Sequence, residues 1–383
     1  MKDMFAHQLD VLSAQGLRRS LKVVASVQGR EIVLDGQKVL NFCSNDYLGL
    51  AADPRLVHAT EEAMVRRGFG AGASRLVCGN FDEHEALEHE LAAFKHASAA
   101  LVFSSGYMAN TGIIPALVSR GDAVFADRLN HASIVDGIVL SRADLCRYPH
   151  KDMNALDEML GKATGARRKL IVTDTVFSMD GDLAPLEDIV RLAKQHDAWL
   201  MVDEAHAFGV LGPTGAGLVE ALGLEADVPL QMGTLSKAAG AYGAYCAGDA
   251  LLKEYLLNSA RSFIFTTAIP PAVAAAGRAA LNIMKSEPQR RVRVLELACR
   301  MRDGLKKLGF DTLESATPII PVMVRKASVA SEMSQKLLAQ GIFVSAIRPP
   351  TVPAHTARLR VTVSAAHTDE DIQRCLEAFE HAC

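Results

Sequence analysis

None of the seven cysteines stands in a CxxC pair, and their number is odd. Both facts argue against a disulfide framework and against a structural zinc site. Reduced thiols fit a cytosolic protein. No apolar run reaches the ~20 residues that a membrane-spanning helix requires. The opening MKDMFAHQLDVL lacks the apolar core of a secretion signal, so a cytoplasmic protein without membrane attachment is expected. No long basic run is present, and the net charge is only −3. The sequence therefore offers no electrostatic footprint for nucleic acid. Its one basic cluster, Arg290, Arg291 and Arg293, is short and reads as a solvated helix face. Internal repeats, low-complexity tracts and a Walker A lysine are all missing. The Gly-rich stretch GFGAGASRLVCG (68–79) fits the loose dinucleotide fingerprint only from Gly68, with Ala73 in the third place. No strand precedes it, so the match is coincidental.

What remains is an ordinary globular composition over 383 residues, 49% apolar and 22% charged, enough for a sizeable core and more than one domain. Residues 1–20 have the pattern of an amphipathic helix ending near Gly16. REIVLDGQKVLNF alternates apolar and polar residues about Asp35-Gly36, a hairpin signal. From about residue 45 the runs AALVFSS, DAVFAD, KLIVTD, AWLMVDEAH, PLQMGT and GAYCAG alternate with helical stretches. Short buried strands of this kind form a mostly parallel sheet covered by helices. After Pro270-Pro271 comes a long helical segment, then strands PIIPVMV, IFVSAI and ARLRVTVSA with two helices, the last capped at Thr368. The expected organisation is an α/β protein: an N-terminal helix and hairpin (1–44), a large domain (45–270) and a smaller C-terminal α+β domain (271–383).

In open α/β sheets, chemistry collects at the carboxyl ends of strands, and several polar residues fall there. Lys237 follows PLQMGT, between Thr234, Ser236 and Gly240. An arbitrary lysine in a turn is a surface residue, but small neighbours leave room for a bound group, and a lysine in such a pocket can attack an aldehyde. Asp203 ends the buried strand AWLMV, where a carboxylate needs a partner; a protonated pyridine nitrogen or a helix-cap role would each supply one. His131 follows DAVFADRL and can present its ring face to a flat cofactor, or be a satisfied structural histidine. Ser104-Ser105-Gly106-Tyr107 is a strand-to-helix turn of the kind that cradles phosphate.

Phosphate turn, histidine, aspartate and lysine occur in the chain order of the fold-type I (aspartate-aminotransferase-like) pyridoxal-phosphate enzymes, which this sequence resembles. SNDYLGL (44–50), DRLNHAS (127–133), VFSMDGD (176–182), VDEAHAFGVLGPTGAG (202–217) and TLSKAAG (234–240) are similar to the α-oxoamine synthase family over nearly the whole chain. AIRPPTVPAHTARLR (346–360) and SRLVCG (74–79) resemble the member that joins L-alanine to a pimeloyl thioester. The resemblance implies that Lys237 is the Schiff-base lysine and catalytic base, that Asp203 pairs with the pyridinium nitrogen and that His131 stacks on the ring. It places His206 and Ser178 near the ring hydroxyl, and Gly106, Tyr107 and Thr234 at the phosphate. Asn45 and Arg348 are implied near the substrate carboxylate or developing oxyanion, and Arg19 (or Arg18) and Thr351 at the acyl substrate. Thr266 or Thr267 is implied at the phosphate of a neighbouring subunit of a homodimer. The acyl carrier, coenzyme A or acyl carrier protein, is left open. Two positions depart from the family pattern: Asp174 stands where Glu is expected, and His355 where Gly is usual. The alternatives are another α-oxoamine synthase such as glycine C-acetyltransferase, a non-catalytic regulator built on the same fold, and a nucleotide-dependent enzyme. The roughly forty residues before SNDYLGL are too few for a DNA-binding module with its linker, and the missing phosphate fingerprint argues against the nucleotide enzyme.

Overall fold

The computed structural model describes every residue except Gly16 and Cys383, so the expected helix end at Gly16 and the seventh cysteine lie outside the described residues. In chain order the strands are β1 (Glu31–Leu34), β2 (Gln37–Asn41), β3 (Ala99–Phe103), β4 (Ala123–Asp127), β5 (Asp144–Tyr148), β6 (Lys169–Asp174) and β7 (Trp199–Asp203). They continue with β8 (Leu230–Thr234), β9 (Ala244–Gly248), β10 (Ile319–Arg325), β11 (Ile342–Phe343), β12 (Ser345–Ile347) and β13 (Ala357–Thr362). Two compact units are present. One comprises Leu50–Ser178 and Leu183–Val292, the other Met1–Gly49, Met179–Asp182 and Arg293–Cys383.

The first unit is built on a seven-stranded sheet of order β3-β9-β8-β7-β6-β4-β5. All its neighbours run parallel except β9, which is antiparallel to both β3 and β8. Alternate residues Leu170, Val172, Met201, Leu230 and Met232 belong to one core cluster, together with Ile113 and Ile114 of helix Gly106–Leu117 and Ile134 and Ile138 of helix Ala132–Ser141. The intervening Ile171 and Val202 are equally buried. Both faces are therefore covered, which is why these strands read as continuous apolar runs. The edge strand β5 (DLCRY) is only partly buried and carries too weak a pattern to be expected from sequence.

The second unit holds the hairpin β1–β2, with Asp35 (φ 48°) and Gly36 (φ 85°) both in the left-handed region that an Asp-Gly turn supplies. β11 adds to β2 in parallel, while β10, β13 and β12 form a separate antiparallel sheet. IFVSAI is thus divided between two sheets. The expected cap of helix Asp369–Ala382 is present: Asp371 N–H donates to Thr368 Oγ1 (3.1 Å) and Thr368 N–H to Asp371 Oδ2 (2.8 Å). Helix Lys2–Ala14 buries no residue, so the amphipathic pattern of this segment meets no core within the chain. Arg291 also departs from expectation. It is buried, donating to the carbonyls of Met284 (2.7 Å), near the end of the preceding helix Pro271–Ser286, and of Pro213 (2.8 Å).

Candidate active site

Period-2 alternation decides where the ends of β6, β7 and β8 point. Asp174, Asp203 and Thr234 each follow a core residue, Val172, Met201 and Met232, by two positions, so all three face helices Gly106–Leu117 and Ala132–Ser141. Asp174 and Asp203 are in-register partners across β6 and β7. Asp203 is buried; its Oδ2 accepts from Asn110 Nδ2 (2.9 Å) and its Oδ1 from the Ala205 N–H (2.9 Å). Asp174 Oδ2 accepts from the His131 N–H at 2.7 Å. Burial, reinforced by the charge of Asp203, pushes the Asp174 carboxyl well above the usual carboxylate range.

His131 precedes helix Ala132–Ser141, with Nδ1 2.8 Å from Ser133 Oγ. The residue is exposed overall, yet this edge of the ring is turned into the protein. Desolvation there lowers its pKa; Asp203 opposes the shift and Lys237 adds to it, so His131 lies within the electrostatic reach of both. Lys237, half-buried, reaches buried His206 with Nζ–Nε2 2.8 Å. The turn carrying the lysine is closed by Gly240 N–H donating to Lys237 O (2.9 Å). Gly240 has φ 62°, and a Cβ there would strike the backbone of Leu50 and Ala51, so glycine is required. Thr234 Oγ1 donates to Gly243 O (2.8 Å) and accepts from Ser236 N–H (3.2 Å).

Helix Gly106–Leu117 is capped by Ser105, whose Oγ accepts from Met108 N–H at 3.2 Å. The N–H groups of Gly106 and Tyr107 have no intrahelical acceptor, as at any helix start, and suit a phosphate. A Cβ on Gly106 would come within 3.3 Å of the Met232 methyl, so glycine keeps this turn close to β8. Tyr107 is exposed and its hydroxyl donates to Asp136. Ser178 is buried in the turn after β6. A lysine, a buried carboxylate, a histidine within electrostatic reach of both and a phosphate-type helix start are the donor set that pyridoxal phosphate needs.

The other expected residues lie in the second unit. There Arg19 Nη2 donates to Thr351 Oγ1 (3.0 Å), and both line a groove of about 720 Å³ with Arg18, Lys22 and Arg348. Arg18 turns back to Ser13 (3.4 Å). Asn45 Oδ1 accepts from Arg360 Nη2 (3.1 Å) and from Tyr47 OH (3.2 Å). Arg348 donates to Ser331 (3.2 Å). His355 has φ 64°, the conformation for which glycine is the unstrained choice. Sequence reasoning assigned no role to Asn110, Ser133 or Arg360. Asn110 lies one helical turn beyond Gly106, and Arg360 two residues beyond Arg358 on β13; those spacings were the available signals.

The chain belongs to the aminotransferase class I and II family, whose model matches residues 37–379. Its relatives are more specific. An 8-amino-7-oxononanoate synthase from Geobacter sulfurreducens is 54% identical over 381 residues, covering 99% of this chain and 97% of the relative. One from Azoarcus is 51% identical, covering 99% and 98%. Among solved structures, a serine palmitoyltransferase from S. paucimobilis with bound PLP–myriocin aldimine superposes with TM-score 0.94 at 35% identity, covering 99% of this chain and 96% of that one. An 8-amino-7-oxononanoate synthase from Francisella tularensis has TM-score 0.78 at 32% identity, covering 90% and 97%. The architecture is that of the fold-type I pyridoxal-phosphate-dependent enzymes.

Proposed function

We propose that this chain is a pyridoxal-phosphate-dependent C-acyltransferase that condenses L-alanine with a pimeloyl thioester. Carbon dioxide and the free carrier are released, giving 8-amino-7-oxononanoate for biotin formation. The observation that carries the reading is Lys237 held at 2.8 Å from His206, beyond the strand end where Asp203 is buried against Asn110. The serine palmitoyltransferases share the architecture at 35% identity, but relatives at 54% and 51% bear the 8-amino-7-oxononanoate synthase name. That difference favours L-alanine over serine or glycine.

Bound pyridoxal phosphate supplies the electron sink for the carbanion at the amino-acid Cα. The chain's own residues do the rest. Lys237 would hold the cofactor's aldehyde and, once displaced by the substrate amine, take the Cα proton on Nζ. Asp203 would keep the pyridine nitrogen protonated; His131 would stack on the ring and hydrogen-bond a substrate oxygen. Ser178 and His206 would border the ring hydroxyl, with Gly106, Tyr107 and Thr234 at the phosphate end. Asn45 and Arg348 would serve the substrate carboxylate. The groove with Arg18, Arg19, Lys22 and Arg348 carries four cations and no acid among its lining residues, which suits the anionic far end of a pimeloyl chain, with Arg19 and Thr351 its contacts.

We further propose a cytoplasmic homodimer. The stretches around residues 69–77 and 262–268 lie side by side, Ala268 N–H donating to Ala73 O (3.0 Å), and leave Phe69, Val77 and Phe265 exposed. Thr266 and Thr267 border a recess there with Arg75. No helix among the described residues is long and apolar enough to cross a membrane. The deciding experiment is a product assay with L-alanine, glycine or L-serine and pimeloyl-coenzyme A or pimeloyl-carrier protein, on wild type and Lys237→Ala. Turnover with L-alanine and none in the variant is expected; preference for glycine, or undiminished turnover by Lys237→Ala, overturns the reading.

A further inference from the structure

Ser133 Oγ sits between two nitrogen atoms. It lies 2.9 Å from Asn110 Nδ2 and 2.8 Å from His131 Nδ1. The Asn110 amide is fixed in orientation, because the same Nδ2 donates to Asp203 Oδ2 at 2.9 Å, and an ionised carboxylate only accepts. Turning the amide over would set its oxygen against that carboxylate. Asn110 Oδ1 is buried with no hydrogen-bond partner among the described residues, so the amide is held by its nitrogen alone. A hydroxyl has one proton to give. With Asn110 donating to Ser133 Oγ, that proton is directed at His131 Nδ1. The Ser133 backbone N–H points at the same atom from 3.3 Å. Two donors on Nδ1 make it an acceptor, and the ring proton must then be on Nε2.

We propose that Ser133 and Asn110 are positioning residues that hold His131 neutral as its Nε2–H tautomer, so that the nitrogen away from the helix presents a hydrogen-bond donor to a substrate carboxylate or carbonyl. The chain of contacts ends on Asp203, so the tautomer of the histidine and the orientation of the Asn110 amide are set by one network. Protonating Nδ1 would force the Ser133 hydroxyl to turn and would set the new N–H against the backbone N–H. The charged groups acting on the ring are Lys237, which opposes protonation, and Asp203 and Asp136, which favour it; Asp174 meets the same residue through its backbone N–H. Desolvation adds to the effect of Lys237.

The inference deepens the function proposed above and rests on it only for the activity measurement. The test uses the holoenzyme with isotopically labelled histidine rings, the His131 signals being identified among the 12 histidines by their loss in His131→Gln. Nitrogen and carbon ring shifts at neutral pH are expected to show Nε2–H and an unprotonated Nδ1. Ser133→Ala is expected to mix the tautomers, to raise the ring's titration midpoint and to lower kcat about tenfold with L-alanine and a pimeloyl thioester, with cofactor absorbance unchanged. Ser133→Thr, which keeps the hydroxyl, restores all three. An Nδ1–H tautomer or an imidazolium in the wild type overturns the proposal, as does an unchanged tautomer in Ser133→Ala. The expected tautomer in an enzyme inactive on these substrates would leave the proposal standing and remove the substrate assignment instead.

Discussion

Two buried carboxylates at the ends of adjacent strands repel one another, and the cheaper solution is for one of them to stay protonated. Asp203 accepts two N–H groups, from Asn110 and Ala205, whereas Asp174 takes the His131 N–H and is the one pushed far upward. Asp174 is therefore the carboxyl that burial and the Asp203 charge drive toward its neutral form. Asp174→Asn replaces that acid by a neutral group of the same shape that can still accept from His131. Its kcat/KM is expected to stay within about tenfold of wild type, while Asp203→Asn, on the pairing with the pyridine nitrogen proposed above, is expected to lose on the order of a hundredfold or more. Steady-state kinetics with cofactor absorbance on the two variants checks this, and equal losses would contradict it. Lys237, Asp203 and His131 could be singled out from sequence because each stands just past a recognisable apolar strand. Asn110 and Ser133, 23 positions apart in the chain, could not, since their roles exist only where two helices cover one face of the sheet. The Asn45–Arg360 pair joins residues more than three hundred positions apart, and no local spacing announces it.

The turn that carries Asp203 and His206 depends on its neighbours for its position. Glu204, fully buried, pairs with buried Lys95 at the end of helix Asp82–Phe94; Lys95 also donates to Ala216 O, and Glu204 Oε1 accepts from Val219 N–H (3.0 Å). At Gly217 (φ 127°) a Cβ would strike the Glu204 carboxylate, so the glycine of this loop is fixed by the pair. One helix end and one loop are thereby tied to the strand end that holds the aspartate. Removing one member strands a buried charge, and Lys95→Met is expected to cost about 3–5 kcal/mol of stability. Lys95→Met with Glu204→Gln should recover part of that loss. Urea unfolding of the single and double variants measures both; a loss under 1 kcal/mol for Lys95→Met would show that the pair contributes little. At this scale the strand pattern was readable because burial on both faces leaves short apolar runs bounded by small residues. The partly buried β5 gave no such run. Arg291 misled because charge in a helix is usually solvated, whereas here carbonyls of a distant turn and of the preceding helix receive it.

Across the whole molecule, what sequence conceals is which distant segments share a unit. Met179–Asp182 belongs with Met1–Gly49 and Arg293–Cys383, because Arg358 of β13 pairs with Asp180 and the Thr317 hydroxyl donates to Gly181 O (3.0 Å). Nothing in SMDGD itself predicts that attachment. The same unit carries a buried histidine that makes stability fall in mild acid. His367 stacks on Phe42 with ring centroids 4.3 Å apart and planes 8° from parallel, and its Nδ1 accepts from Ser364 N–H (3.0 Å). Burial lowers its pKa to about 4, Arg30 adding to the shift and Asp371 opposing it. In the unfolded chain the ring titrates near 6.5. Its contribution is thus fully present above that value and falls away as the pH drops from about 6.5 toward 4, since only the unfolded chain takes up the proton in that window. Asp371 is lowered instead, and its contribution is lost only below the ordinary carboxylate range, so it does not act between pH 7.5 and 5. The unfolding free energy is therefore expected to fall by about 2 kcal/mol from pH 7.5 to pH 5 through His367 alone. His367→Phe keeps the stacking, gives up the Ser364 hydrogen bond and lowers stability at pH 7.5, but should flatten the dependence by that amount. Urea titrations of both proteins at the two pH values decide the matter, and an equal fall in the variant would assign the acid sensitivity to another group.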